Sequence, residues 1–342
     1  MGNLVGFHIV TRARLRDFIG GLAALLIASC SSSSPPTSTG GRVIVALTVD
    51  WEGAQISAEN MTAVTELRRS LGDVPLTHFL SSAYFTKEAP DPALMTTIKS
   101  AIRKGDELAV HLHVWRSLAQ ASGVDAKVSP SFLSGTDELF EFDDGDDGFD
   151  TDPDVYTVAQ LRSLLRTSRR LLEQTQLPVS RSFRAGGYLG TPKLLQAVRD
   201  EGFSVDSSAI DHRQLDELKG QVLPSRVSGI WPTVEATSQP WFVKAHGGQV
   251  LELPIAAVTD YASAAEIVQL FDQAHARVQA EPTRDVFVVL ALHLETAAEF
   301  ADRLGDALTN VRGRGEIADT LTFMTVEDAA EQARVGLTPG PP

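Results

Sequence analysis

Six residues in this chain have types and spacings that suit hydrolytic chemistry. His111 and His113 stand two apart in the segment DELAVHLHVW, residues 106–115. Asp50 and Glu52 stand two apart at the end of RVIVALTVDWE, residues 42–52. Arg184 lies in SFRAGGY, and His293 ends VFVVLALH. Two imidazoles are half of a metal site, and a carboxylate beside them can ligate a cation or accept a proton. Each residue also has a plainer reading. An H-x-H pair can be satisfied by neighbouring backbone, an acid at a strand end is ordinary turn chemistry, and Arg184 and His293 can be a structural ion-pair partner and a core histidine. Several strand ends that all supply ligands, charges or acid–base groups outweigh those readings taken one by one.

Positioning such groups takes strands that end together. Side chains of a strand alternate faces, so His111 and His113 point one way, and so do Asp50 and Glu52. The near-continuous apolar run before Asp50 suits a strand buried on both faces. Strands are expected at 42–52, 75–85, 106–115, 180–186, 203–207, 250–255, 286–293 and 321–325. Helical spacing marks 61–71, 92–103, 157–174, 192–201, 263–279, 297–311 and 326–334. Residues 221–248, with Pro224, Gly229, Pro232 and Pro240, predict short strands and turns. This alternation favours a parallel α/β barrel, in which the chemistry gathers at the strand ends.

The start of the chain carries an address rather than a fold. Arg12, Arg14 and Arg16 precede a short apolar run from Phe18 to Ala28, in the order of a secretory signal. The run ends in Ile27-Ala28-Ser29-Cys30, which resembles the bacterial lipobox. The expectation is a signal peptide over 1–29 and a lipid on Cys30, the sole cysteine. A Ser/Pro/Gly-rich tether follows over 30–41, then one barrel domain over 42–335 and a tail over 336–342. This places the protein in the cell envelope, exported and held to a membrane by its lipid. Removing 1–29 takes away three Arg and one Asp, so the formal charge of −14 becomes −16. Such acidity argues against nucleic acid as a partner. Asp143, Asp144, Asp146, Asp147, Asp150, Asp152 and Asp154 crowd one loop with Gly145 and Gly148. Calcium is conceivable there, but the spacing is not that of an EF-hand, and a solvated loop over the barrel mouth is the favoured reading.

In order and context these segments resemble the polysaccharide deacetylase (NodB-homology) family, hydrolases on a distorted (β/α) barrel. The aspartate motif is matched by Thr48-Val49-Asp50-Trp51-Glu52-Gly53. The histidine motif is matched by Gly105-Asp106-Glu107-Leu108 with His111-Leu112-His113, and the arginine motif by Phe183-Arg184-Ala185-Gly186-Gly187-Tyr188. Leu251-Glu252-Leu253-Pro254 and Leu292-His293 match the last two. Three departures stand out. The acids are D-x-E rather than adjacent, Trp115 occupies the usual place of the second histidine so that His113 must substitute, and Gly186 replaces the usual proline.

The resemblance implies a divalent metal, foremost Zn²⁺ with Co²⁺ or Mn²⁺ as alternatives, held by Glu52, His111 and His113. It implies Asp50 as base, with the converse assignment of Asp50 to the metal left open. Arg184 would orient Asp50, His293 would be the general acid and Glu252 would tune it. Tyr188 and Trp115 would contact substrate, with Trp51, Trp231 and Trp241 as further stacking candidates. His78, His212, His246 and His275 have no partner legible in the sequence. The implied activity is hydrolysis of acetyl groups, N-acetyl foremost, on an envelope or extracellular polysaccharide. An inactive glycan-binding lipoprotein and a hydrolase of another non-peptide amide are the alternatives.

Overall fold

A computed structural model describes residues 40–337, apart from Asp73, residues 134–144 and Lys219. The signal peptide, Cys30, nearly all of the tether, Asp143, Asp144 and the last residues of the tail lie outside the described residues.

The strands in chain order are β1 (Val43–Trp51), β2 (Thr77–Ser81), β3 (Glu107–Leu112), β4 (Val179–Ala185) and β5 (Val205–Asp206). They continue as β6 (Trp241–Ala245), β7 (Gly248–Glu252), β8 (Ile255–Val258), β9 (Val286–His293) and β10 (Leu321–Met324). The order across the sheet is β6-β7-β5-β4-β3-β2-β1-β9-β8, with β10 paired to β1. All pairings are parallel except the β6–β7 hairpin. A single parallel bridge from Ile210 to Ile255 ties the segment after β5 to β8 and curls the sheet into a distorted barrel.

β1 is the axis of this arrangement. Every residue of it is buried. One edge pairs with β9 along Val43–Asp50; the other pairs with β10 at Val43–Ala46 and with β2 at Thr48–Trp51. Alternation sends Val43, Val45, Leu47, Val49 and Trp51 into the outer core, against the helices. Ile44 and Ala46 face inward, where they pack with Phe79, Ala109, Val289 and the apolar face of the C-terminal helix Val326–Gly336. Thr48, Asp50 and Glu52 continue this inner column, so an apolar plug floors the barrel and polar groups crown it. The register carries the same logic across the sheet: Asp50 lies opposite His293, and His111 opposite Arg184.

The long helices form where expected and for local reasons. Val158–Leu172 opens on a capping box of Thr157 and Gln160 and buries Leu161, Leu164, Leu165 and Leu172. Ala264–Ala280 opens on Ser263 and Glu266 and buries Ile267, Phe271, Ala274 and Val278. Among the described residues no helix is long and apolar enough to cross a membrane.

Three expectations are corrected. The histidine strand stops at Leu112, so His113 and Trp115 lie beyond it. The expected strand 250–255 breaks at Leu253-Pro254 into β7 and β8, because proline offers no N–H to a ladder. Residues 221–248 hold a helix, Leu223–Ile230, whose proline sits in the first turn where the missing N–H costs nothing. The aspartates of the acidic loop do not converge. Asp146 pairs with Lys87 at 3.0 Å, Asp147 with Arg116, Asp150 with Ser131, and Asp152 and Asp154 with Arg226. The carboxylates are drawn to separate side chains, with Asp152 and Asp154 sharing Arg226, which leaves no oxygen cage for calcium among the described residues.

Candidate metal centre and acid–base site

The inner column of β1 and the ends of β3, β4 and β9 meet in one cavity of about 180 Å³. Asp50 is fully buried, and its Oδ1 accepts Arg184 Nη1 at 2.6 Å. The guanidinium is fully buried too. It donates to Thr48 Oγ1 at 2.7 Å, to the Ser207 carbonyl at 2.7 Å and to Ser207 Oγ at 2.8 Å, and stacks 4.2 Å over Phe79. Arg184 is thus locked on three sides, and only its fourth contact holds the carboxylate. Asp50 Oδ2 is buried with no protein partner, on a residue that lines the cavity.

Glu52 sits between the two histidines. Its Oε1 lies 3.1 Å from His111 Nε2 and its Oε2 lies 2.5 Å from His113 Nε2. His111 Nδ1 is 3.1 Å from the Arg184 carbonyl, and His113 Nδ1 is 2.7 Å from the Phe149 carbonyl. A carbonyl only accepts, so each Nδ1 carries a proton and each Nε2 is turned toward Glu52. At these distances a proton on Nε2 or a cation must lie between each ring and the carboxylate. Glu52, His111 and His113 can each place a ligand atom within 4.8 Å of the others, as can Asp50, Glu52 and His293. Burial disfavours charge on His113, but the Glu52 carboxylate outweighs it and raises the imidazole's pKa. On Glu52 burial is likewise overcome by the two histidines, and its pKa falls well below the usual value.

His293 faces this group from β9. Its Nδ1 is 3.0 Å from Asp260 Oδ2, and its Nε2 is 3.3 Å from the Tyr188 hydroxyl and 3.8 Å from Glu52 Oε1. Burial opposes a charged ring, yet Asp260 first, then Glu52 and Asp50, push the His293 pKa up to about 10. Glu295, two residues on, has its pKa raised to about 7 by burial and by the Glu52 charge. Asp50, Glu52, Asp260 and Glu295 bring four carboxylates to the cavity, against Arg184 and a protonated His293. The carboxylates outnumber the cationic side chains, which favours a cation at this cavity.

Two glycines make room for this geometry. A Cβ on Gly186 would sit 2.6 Å from His113 Cε1 and Nε2. The ring that substitutes at the second histidine position therefore occupies the space of a side chain at 186, so two of the sequence departures are one packing solution. Gly53, at φ +90°, lets the Trp115 indole pass beneath it and donate to the Glu52 carbonyl at 2.8 Å.

Other expectations for individual residues change. Trp115 is fully buried, outside the cavity lining, with Lys87 Nζ 3.3 Å over its ring, so it supports Glu52 from behind and offers no face to substrate. Trp51 is also fully buried and Trp231 nearly so, the latter donating to the Tyr188 carbonyl at 2.9 Å; neither forms a stacking surface. Glu252 does not approach His293. It is fully buried beside Asp206 and accepts the Ala209 N–H at 2.8 Å, and burial with the Asp206 charge raises its pKa well above the usual value. Asp260 holds His293 instead, outside every motif. His78 has partners after all, accepting Trp51 Nε1 at 3.2 Å and lying 3.6 Å from Asp106. Tyr188 lines the cavity as expected, at a φ of +62° that a bulky side chain rarely adopts.

No protein-family model matches this sequence, and no curated protein matches it either. Solved structures match it in shape. One assigned as a polysaccharide deacetylase of Mycobacterium smegmatis superposes with a TM-score of 0.52 at 16% identity, over 90% of this chain and 96% of that one. Puue allantoinase gives 0.51 at 12% identity, over 89% and 95% of the two chains. A structure assigned as a polysaccharide deacetylase of Pseudomonas aeruginosa PAO1 gives 0.50 at 12%, over 86% and 92%. What is shared at such identities is the course of the backbone. This chain folds as the distorted (β/α) barrel of the polysaccharide deacetylases.

Proposed function

We propose that this protein is a divergent, metal-dependent hydrolase of the polysaccharide deacetylase type. It removes acetyl groups, N-acetyl foremost, from a cell-envelope or extracellular polysaccharide. The observation that carries the proposal is the convergence of two imidazole Nε2 atoms on Glu52, with an Arg184-held aspartate and an Asp260-held histidine beside them. Glu52, His111 and His113 would hold a divalent cation, with Zn²⁺ the best match to two imidazoles and a carboxylate. Such a cation supplies Lewis-acid polarisation of the scissile carbonyl and acidifies water, to a pKa of about 7 in zinc enzymes.

The remaining work belongs to the side chains. Asp50 Oδ2, free of protein partners, takes a proton from the attacking water, while Arg184 on Oδ1 keeps the carboxylate from rotating. His293, protonated through Asp260, delivers a proton to the departing amine. Tyr188, 3.3 Å from His293 Nε2, stands where it can steady the carbonyl oxygen or the histidine. We further propose that the protein is exported and tethered through a lipid on Cys30; metabolic labelling with palmitate, lost in Cys30→Ser, tests that separately.

The test of the activity is metal content and turnover of an N-acetylglucosamine oligomer by the full chain. About one equivalent of zinc, lost in His111→Ala/His113→Ala, is expected, with release of acetate reduced about 10²–10⁴-fold in Asp50→Asn. A protein that takes up no zinc refutes the mechanism. Zinc bound without turnover of acetylated sugars leaves a glycan-binding protein or a hydrolase of another amide.

A further inference from the structure

Glu295 has no part in the steps above, yet it lines the same cavity as Asp50, Glu52 and His293. One of its carboxylate oxygens is committed to the scaffold. Oε1 accepts the Tyr84 hydroxyl at 2.6 Å and the Glu52 N–H at 3.1 Å. The backbone is pinned as well, since the Glu295 carbonyl accepts Asn60 Nδ2 at 2.6 Å. These contacts fix the plane of the carboxylate. Its other oxygen, Oε2, is buried and has no protein partner.

A buried acceptor is rarely left unpaired. Because the clamp on Oε1 prevents rotation, the partner of Oε2 has to come from the cavity, as water in the free protein and as a ligand group in the complex. The other polar groups on the cavity wall are engaged elsewhere, the Tyr188 hydroxyl with His293 at 3.3 Å, Tyr261 with Tyr188, and His293 with Asp260 at 3.0 Å. The Thr296 hydroxyl is spent on Asp260 at 2.5 Å, and Phe132, Leu133, Phe149, Leu218 and Leu223 are apolar.

We propose that Glu295 is a specificity-determining residue whose Oε2 receives an N–H or O–H hydrogen that the substrate carries close to its scissile carbonyl. The preferred substrates are then acylated amines and hydroxyl-bearing acyl compounds, and acyl compounds without such a hydrogen are discriminated against. A site built to pair a donor rejects the analogue that lacks it, because the acceptor is left stranded. This deepens the hydrolase reading and rests on the same cavity.

The experiment compares binding of N-methylacetamide and N,N-dimethylacetamide to the full-length protein by NMR titration, in the wild type and in Glu295→Gln. The two amides differ in the one hydrogen at issue. Glu295→Gln keeps the scaffold intact, because the Glu52 N–H still requires an oxygen and so turns the new NH₂ group toward the cavity. Wild type is expected to bind N-methylacetamide about 5–10-fold more tightly, and the variant to lose or invert that preference while its melting temperature is kept. Equal affinities in the wild type, binding of neither amide, or a preference that survives in Glu295→Gln each overturn the proposal. Donor preference without turnover of acetylated sugars would sink the deacetylase reading alone; turnover without donor preference would sink this one alone.

Discussion

Gly186→Ala tests the packing logic of the metal centre with a single methyl group. The backbone at Gly186 is not in the left-handed region, so alanine fits the chain there and would ordinarily be neutral or slightly stabilising. The obstacle is His113, whose Cε1 and Nε2 would lie 2.6 Å from the new carbon. Ordinary carbon contacts are about 3.5–4.0 Å, so the ring must retreat by about 1 Å. It cannot do so freely, because Nδ1 is held by the Phe149 carbonyl at 2.7 Å and the Phe132 and Phe149 rings stand 6.3 and 6.4 Å away, centre to centre. Metal–ligand distances tolerate about 0.2 Å. The expected results are a fall in zinc affinity of about 10–100-fold and a loss of about 1–3 kcal/mol in stability from overpacking. Zinc affinity would be read by chelator competition and stability by urea titration, in the wild type, Gly186→Ala, His113→Ala and the double variant. The destabilisation should vanish in the His113→Ala background, because the methyl group then has room. A folded Gly186→Ala protein with wild-type zinc affinity would refute this account of the site, and so would a stability loss that persists without the imidazole.

The remaining predictions concern charge. In the metal-free protein, Asp260→Asn should bring the His293 pKa down from about 10 toward the ordinary imidazole value, as followed by NMR. The pair's contribution to stability is fully present below about pH 6.5 and lost as the pH rises through about 10, so the wild type and Asp260→Asn should converge in stability across that window; a His293 resonance that titrates unchanged in the variant would remove Asp260 from its role. Asp106, whose side chain is fully buried, takes two hydrogen bonds from Arg68 at 2.6 and 2.8 Å and the N–H groups of Leu76 and Arg103. Burial works against its charge, but His78, 3.6 Å away, and these donors prevail and lower its pKa, so its contribution is present above the ordinary carboxylate range and lost as the pH falls through its lowered folded pKa. Asp106→Ala should cost about 3–5 kcal/mol in urea titration, since it strands the buried Arg68 charge; a cost under about 1 kcal/mol would mean that the pair is solvated.

The parts of this molecule legible in the sequence are those written in short-range patterns. Val286–His293 is seen at its full length because its apolar run ends on a histidine, and β1 because its run ends on two acids. The period of a strand brings Asp50 near Glu52 and His111 near His113 in the sequence reading, although β1 ends at Trp51 and β3 at Leu112. Asp260 and Glu295 were not legible, because each acts only through a tertiary neighbour, His293 for one and Tyr84 with the Glu52 backbone for the other. Trp115 was misplaced for the same reason: an aromatic two residues after a site histidine reads as a mouth residue until the chain is seen to leave the strand at Leu112. Helix Leu223–Ile230 was hidden by Pro224 and Gly229, which punctuate a sequence more strongly than they disturb this fold.

Because β1 is edged by β9 and β10, the centre of the sheet is made from the two ends of the chain. Glu52 and Glu295, which share a hydrogen bond, are 243 residues apart, and Asp50 is 134 residues from the arginine that holds it. Contacts of such range close late, since the loops they span must be ordered first. During synthesis β1 can meet β2 early, but one edge stays open until the last sixth or so of the chain has emerged. A fragment ending before Val286 retains Glu52, His111 and His113 yet lacks the strand that sets their neighbours. Completion of the cavity, in which His293 and Glu295 join Glu52, should therefore be among the final events of folding.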